Sequence, residues 1–231
     1  MCPGSQLDGP LDRFGKAAGA MTDEILVVGV GGLGKCMVLE ALGRGLRVSV
    51  LVRNRTKLEA DLGKEIDLQL SQITVGDALR PTVLDAAMAG VDVVLSGKGA
   101  DPELAAALAD AVKRNRVSKL CWPAGTTNVM AEDGITPNYN KLAHLGTWVE
   151  RAFHAHAACI AAIRAADINH VIFCPGRMAG LGRRSPDVEA SLRINRDSGP
   201  FVSYEDAAWV MLEAATTHEY DRQLVSAATT V

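Results

Sequence analysis

Aromatic side chains are scarce: three Trp, three Tyr and four Phe in 231 residues. With 48% hydrophobic and 22% charged residues, that is the balance of an Ala/Val/Leu/Gly-rich α/β protein and excludes a disordered chain. An excess of basic charge is missing as well. A net charge of −3 supplies no field to draw a nucleic-acid backbone or an anionic membrane, so neither is an expected partner and a small-molecule substrate is. Paired cysteines are absent: Cys2, Cys36, Cys121, Cys159 and Cys174 are odd in number and never form C-x-x-C, which excludes a disulfide framework and a zinc site and fits a reducing compartment. No apolar run approaches the ~20 residues that span a bilayer. The first twenty residues carry Asp8 and Asp12 with no apolar core, unlike a secretory signal, so a cytoplasmic protein without a metal centre is expected. Residues 1–22, rich in Gly, Pro and small side chains, are expected to form a flexible tail before one domain over 23–231.

What is present is an alternation of strands and helices. Ile25–Gly29 is a continuous apolar run of the kind a parallel sheet buries on both faces. A helix is expected over 31–42, stopped by Gly43 and Gly45, then a β-branched strand at Arg47–Val52. Further strands are expected at Leu68–Val75, Val91–Ser96, Lys119–Trp122 and His170–Cys174, with helices at about 81–89, 101–115 and 148–166 between them. The polar stretch from Ala124 to Asn140 reads as a long loop. Six strands alternating with helices predict an α/β fold with a single doubly wound parallel sheet, a Rossmann fold whose ligand crevice lies beyond the carboxyl ends of the strands.

Gly29-Val30-Gly31-Gly32-Leu33-Gly34 is G-x-G-x-x-G between a buried strand and a helix. Gly29 permits the tight turn, Gly31 removes the Cβ that would block a pyrophosphate, and Gly34 lets helix and strand approach. Gly32 and Leu33 open the helix, whose first N–H groups face the anion. At the end of the second strand, Arg53-Asn54-Arg55-Thr56 replaces the acid that an NAD-specific site uses on the ribose 2′-hydroxyl. Arg53 and Arg55 match a 2′-phosphate and Thr56 donates to it, so NADP(H) is the expected cofactor. Asp77 and Ala78 after strand three are placed near the adenine, and Ser96, Gly97 and Lys98 after strand four near the nicotinamide half. Pro123 and Ala124 after strand five, and Pro175 after strand six, are expected to face the same crevice.

The order of these segments resembles the atypical short-chain dehydrogenase/reductase group that holds NmrA-like proteins and flavin and biliverdin-IXβ reductases. The resemblance covers about residues 24–228. It rests on the Gly-rich turn, the basic end of Val50-Leu51-Val52-Arg53-Asn54, Gly76-Asp77, Gly97, Cys174-Pro175-Gly176 and the late segment Val202-Ser203-Tyr204-Glu205-Asp206-Ala207-Ala208. The group's first turn usually reads G-x-x-G-x-x-G, a departure here, and Asn54-Arg55-Thr56-Lys57 is also similar to shikimate-dehydrogenase-like domains. The Tyr-x-x-x-Lys pair of the superfamily has no counterpart: small residues stand near those positions, Tyr139-Asn140-Lys141 has the wrong spacing, and Cys121-Trp122-Pro123-Ala124-Gly125 offers no hydroxyl before Thr126. His156 and Thr126 remain as the candidate proton donors. The resemblance implies hydride transfer from NADPH to a small planar acceptor such as a flavin, quinone or tetrapyrrole; the alternative is an NADP(H)-sensing regulatory protein that acts through a protein partner.

Overall fold

A computed structural model describes residues 24–229; the expected tail over residues 1–22 lies outside them. Strand β1 (Glu24–Val28) is buried along its whole length: Ile25–Val28 are apolar, and the Glu24 carboxylate is satisfied by the Ser49 hydroxyl at 2.5 Å and by Arg47 at 2.6 Å. Its side chains alternate between two cores. Ile25 and Val27 join the core under α1 (Gly32–Gly43) and α7 (Tyr204–Thr216), whereas Leu26 and Val28 join the one under α3 (Pro81–Ala87), α4 (Pro102–Asn115) and α6 (Thr147–Ala165). Helices on both faces are what convert a twisted sheet without a polar face into a stable layer.

The central sheet also contains β2 (Arg47–Val52), β3 (Gln72–Val75), β4 (Val93–Ser96), β5 (Lys119–Pro123), β6 (His170–Phe173), β8 (Arg193–Ile194) and β10 (Leu224–Ser226). Its order is β3-β2-β1-β4-β5-β6-β10-β8, with every pair parallel except β10 and β8. The doubly wound architecture expected from the alternation is therefore the observed one. The order reverses at β1, so the carboxyl ends of β1 and β4 diverge into opposite crossovers and leave a crevice between them. A small parallel pair, β7 (Arg177–Ala179) and β9 (Phe201–Ser203), lies outside the main sheet. Among the described residues no helix is long and apolar enough to cross a membrane.

Three expectations need correction. The third strand begins at Gln72 rather than Leu68, because Lys64–Leu68 is a 3-10 turn that leaves Leu68 88% exposed. The six expected strands omit β8 and β10, which extend the sheet but are two and three residues long, too short to show a period. The segment 124–140 is not structureless: it holds a 3-10 turn at Thr126–Asn128, a bridge between Met130 and Pro137, and the start of α5 (Asn138–Leu142). Helix α2 (Arg55–Leu62) completes the set, its N-terminus capped by Asn54, whose side chain accepts from the Lys57 N–H at 3.0 Å.

Candidate functional site

The turn after β1 is built by missing side chains. Gly29 has φ +85°, a left-handed conformation that a side chain disfavours. Its carbonyl oxygen points between Gly34 and Gly97: a Cβ on Gly34 would meet it at 2.1 Å, and one on Gly97 at 1.9 Å. Three backbone segments thus converge on one oxygen, and the closeness expected of Gly34 is met. Gly97 is required by this backbone contact, so glycine there does not depend on a ligand. Gly31 differs in kind. A Cβ there meets nothing within 4 Å and its φ of −104° suits any residue, so its bareness serves the open space in front of it.

That space is a cleft of about 750 Å³ at the carboxyl ends of β1, β2, β3 and β4. Of the residues expected there, Gly29, Gly31, Arg53, Asn54, Asp77, Ala78, Gly97 and Lys98 line it. Lys57, Leu79, Asp101 and Leu104 line it too and were not anticipated. Lys57 lies one helical turn after Arg53, and Asp101 caps α4 by accepting from the Leu104 N–H at 3.1 Å, so helix-start residues were the signal available. The Lys98 ammonium, 2.6 Å from Asp101, is the first cause holding that carboxyl below the usual range.

Other expected residues sit elsewhere. Arg55 is outside the cleft lining and pairs with Glu59 at 3.1 Å and with Asp67. Thr56 is exposed on the first turn of α2, outside the cleft lining. Leu33 is buried in the core, and the face of Gly32 where a side chain would stand is covered by the Tyr204 ring at 2.6 Å, so these two offer backbone only. Ser96 is fully buried and spends its hydroxyl on the Lys98 carbonyl at 2.7 Å.

At the ends of β5 and β6 the ladder runs on: Ala124 N–H donates to Phe173 O at 2.6 Å and Thr126 N–H to Pro175 O at 2.8 Å. Pro123, Ala124 and Pro175 are thereby held side by side at the same edge of the sheet, beyond the lining of the large cleft. His156 on α6 reaches this edge. Its ring lies against Gly125, where a Cβ would meet Cδ2 at 2.8 Å, and near Gly99, where one would meet Cε1 at 3.6 Å. Its Nδ1 is buried without a partner, and burial pushes its pKa below the ordinary histidine value. Thr126 is committed: its hydroxyl donates to Asp197 and accepts from Asn138 Nδ2 at 2.9 Å, so it ties loops together and is not a free proton donor. Tyr139 stacks on Phe153 with ring centroids 4.5 Å apart, and Lys141 pairs with Asp133 at 3.2 Å, so they form no phenol–ammonium pair.

The late segment has a structural explanation. Ser203 caps α7 by accepting from the Asp206 N–H at 2.9 Å, and buried Asp206 accepts from Ser185 N–H at 2.8 Å and from the Ser185 and Thr229 hydroxyls. One carboxylate therefore fastens the 177–199 excursion and the chain after β10 onto α7.

The chain matches an NAD(P)H-binding family over residues 29–218. No curated protein matches it in sequence. Among solved structures it resembles ChuY, an anaerobillin reductase from Escherichia coli O157:H7, with a TM-score of 0.69 and 18% identity over 89% of this chain and 96% of that one. A short-chain dehydrogenase/reductase from Veillonella parvula in complex with NADP gives a TM-score of 0.69 at 15% identity, covering 90% and 95%. A proposed NADH-flavin reductase from Streptococcus pneumoniae gives 0.67 at 17% identity, covering 91% and 100%. With its strand order, its glycine turn and a match across most of its length, the chain belongs to the NAD(P)H-binding family of Rossmann proteins, as its resemblance to the atypical short-chain dehydrogenase/reductase group implied.

Proposed function

We propose that this protein is an NADP(H)-dependent oxidoreductase that reduces a small planar acceptor. The observation that carries the cofactor choice is Arg53, which follows β2 and is exposed in the cleft with no carboxylate partner among the described residues, while no acid follows that strand before Glu59. A guanidinium so placed matches a 2′-phosphate and gives a 2′-hydroxyl no equivalent bond. Gly31 leaves room for the pyrophosphate, and the first-turn N–H groups of α1, which have no acceptor within the helix and no acidic residue in that turn, face it.

When bound, the nicotinamide supplies the hydride. The residues at the ends of β4, β5 and β6 then shape the acceptor side. Gly125 admits the His156 ring, whose edge also nears Gly99, and burial favours the neutral form of that imidazole. With Nδ1 buried, Nε2 is the nitrogen left to exchange a proton with an acceptor or with water. Acceptors that take hydride without a strong acid fit a site in which Thr126 is spent and no Tyr/Lys pair forms.

That same lack favours a second reading, a protein that binds NADP(H) and signals through a partner without turnover. Fluorescence titration with NADPH, followed on the same sample by NADPH oxidation with flavin, quinone and tetrapyrrole acceptors, separates the two. Oxidation above background establishes the reductase; tight binding with no oxidation by any acceptor class sinks it in favour of the sensor.

A further inference from the structure

A second cavity, of about 360 Å³, opens beside Ser226 at the end of β10 and is lined by Glu132, Arg193, Arg196, Asp197, Ser198 and Gly199. One hydrogen bond links it to the acceptor side of the proposed site: Asp197 accepts from Thr126, and Thr126 follows the Gly125 that packs on His156. Its two guanidinium groups are anchored from behind. Arg193 Nη1 donates to the carbonyls of Ala190 at 2.8 Å and Leu192 at 2.7 Å. Arg196 lies face-on against the turn at Gly134, where a Cβ would meet Nη2 at 2.5 Å and Cζ at 2.9 Å.

Neither has a carboxylate partner among the described residues, whereas Arg44, Arg47, Arg55, Arg114 and Arg222 each pair with one. The cavity's own acids do not fill that role. Asp197 is turned to Thr126 and to the Gly199 N–H at 3.4 Å, and Glu132 is exposed at the rim. Pre-anchored forks without an internal counter-ion are a match for a carboxylate or phosphate from outside.

We propose that this cavity is a subsite for an anionic arm of the acceptor, so that the redox-active ring sits by His156 and Gly125 while Arg193 and Arg196 hold a phosphate or carboxylate. This rests on the reductase reading. The arm is not altered: the acceptor ring gains one hydride from the nicotinamide and one proton from water, leaving the dihydro acceptor and the oxidised cofactor. Flavin mononucleotide carries such an arm and riboflavin lacks it; a propionate-bearing tetrapyrrole carries it and its methyl ester does not. Glu132 at the rim weakens the subsite by like-charge repulsion.

The test uses the full chain saturated with NADP⁺, with flavin mononucleotide and riboflavin titrated by fluorescence and the tetrapyrrole and its methyl ester titrated in parallel. Flavin mononucleotide is expected to bind about tenfold tighter than riboflavin, the scale of a charge-assisted pair at a partly exposed site. In R193A/R196A that preference disappears while riboflavin and NADPH affinities stay within about twofold, and in E132Q it grows about two- to threefold. The same pattern between tetrapyrrole and ester in place of the flavins assigns the arm to a carboxylate. If the double alanine variant fails to fold, R196K, which keeps the charge and loses the fork, is expected to show a reduced preference. Equal binding of armed and armless acceptors, or no binding of any acceptor while NADPH still binds, overturns the subsite and leaves the cofactor site standing. Loss of NADPH binding in the wild-type protein instead overturns the reading on which the subsite rests.

Discussion

The two halves of the sheet's carboxyl edge are made in different ways. Around β1, β2 and β3 the site is defined by what is missing: a bare Gly31, a left-handed Gly29, and Arg53 without a counter-ion, all opening on the same cleft. Around β4, β5 and β6 polar side chains are already bonded to one another: Ser96 to Lys98, Lys98 to Asp101, Thr126 to Asp197 and Asn138. On the proposed reading, the first half takes a ligand whose phosphates supply the missing charge. The second is a self-satisfied scaffold in which, on the proposed reading, His156 is the main point of contact for an acceptor. Backbone geometry sets the one and long-range side-chain contacts set the other, so substitutions should fail differently in each.

The largest effect is expected within the glycine turn itself. Gly34→Ala drives a Cβ to 2.1 Å from the Gly29 carbonyl and should cost about 3 kcal/mol of stability or more, read from chemical denaturation. Gly31→Val, three residues earlier, should leave the denaturation midpoint in place and weaken NADPH binding about a hundredfold, because the new side chain enters only the cleft. Equal effects of the two changes on stability would erase the distinction between packing glycine and ligand glycine.

In the other half, Thr126→Val removes a donor from Asp197 and a hydrogen-bond acceptor from Asn138, and should cost about 1–3 kcal/mol of stability with NADPH affinity unchanged. The smallest effect is a pH dependence. Burial lowers the pKa of His156 and His170 below the ordinary 6.5, so the unfolded chain binds protons more readily than the folded one. Their contribution to stability is full above pH 6.5 and is lost as pH falls through the lower folded values. Denaturation midpoints should therefore drop from pH 7.5 toward 5.5, and less so in His156→Gln; an identical drop in that variant would remove His156 as a cause.

The same contrast explains what the chain's sequence discloses. The β1–α1–β2 unit and its glycine turn are legible because local chain geometry dictates them: the apolar run Ile25–Val28, then a left-handed Gly29 and a Gly34 that packs on its carbonyl. Arg53 is legible for the same reason, lying at a strand end. The pairing of Arg55 is not, since its partner Asp67 lies twelve residues on in a 3-10 turn that carries no local signal. Strands β8 and β10 escape notice because two or three residues carry no period, and they exist only through long-range pairing, β10 with β6 and β8 with β10. The Asp206 anchor resembles a family signature in sequence, but its purpose emerges only when Ser185 and Thr229 fold against it.

The claim that matters most is that Arg53 makes this an NADP(H) site. Four dissociation constants decide it, NADPH and NADH on the wild-type protein and on Arg53→Ala at one ionic strength. The expected result is a wild-type preference for NADPH of about tenfold that collapses in the variant through weaker NADPH binding alone, with Arg55→Ala leaving it intact. A wild-type preference below about threefold, roughly 0.65 kcal/mol, or one that survives Arg53→Ala, contradicts it.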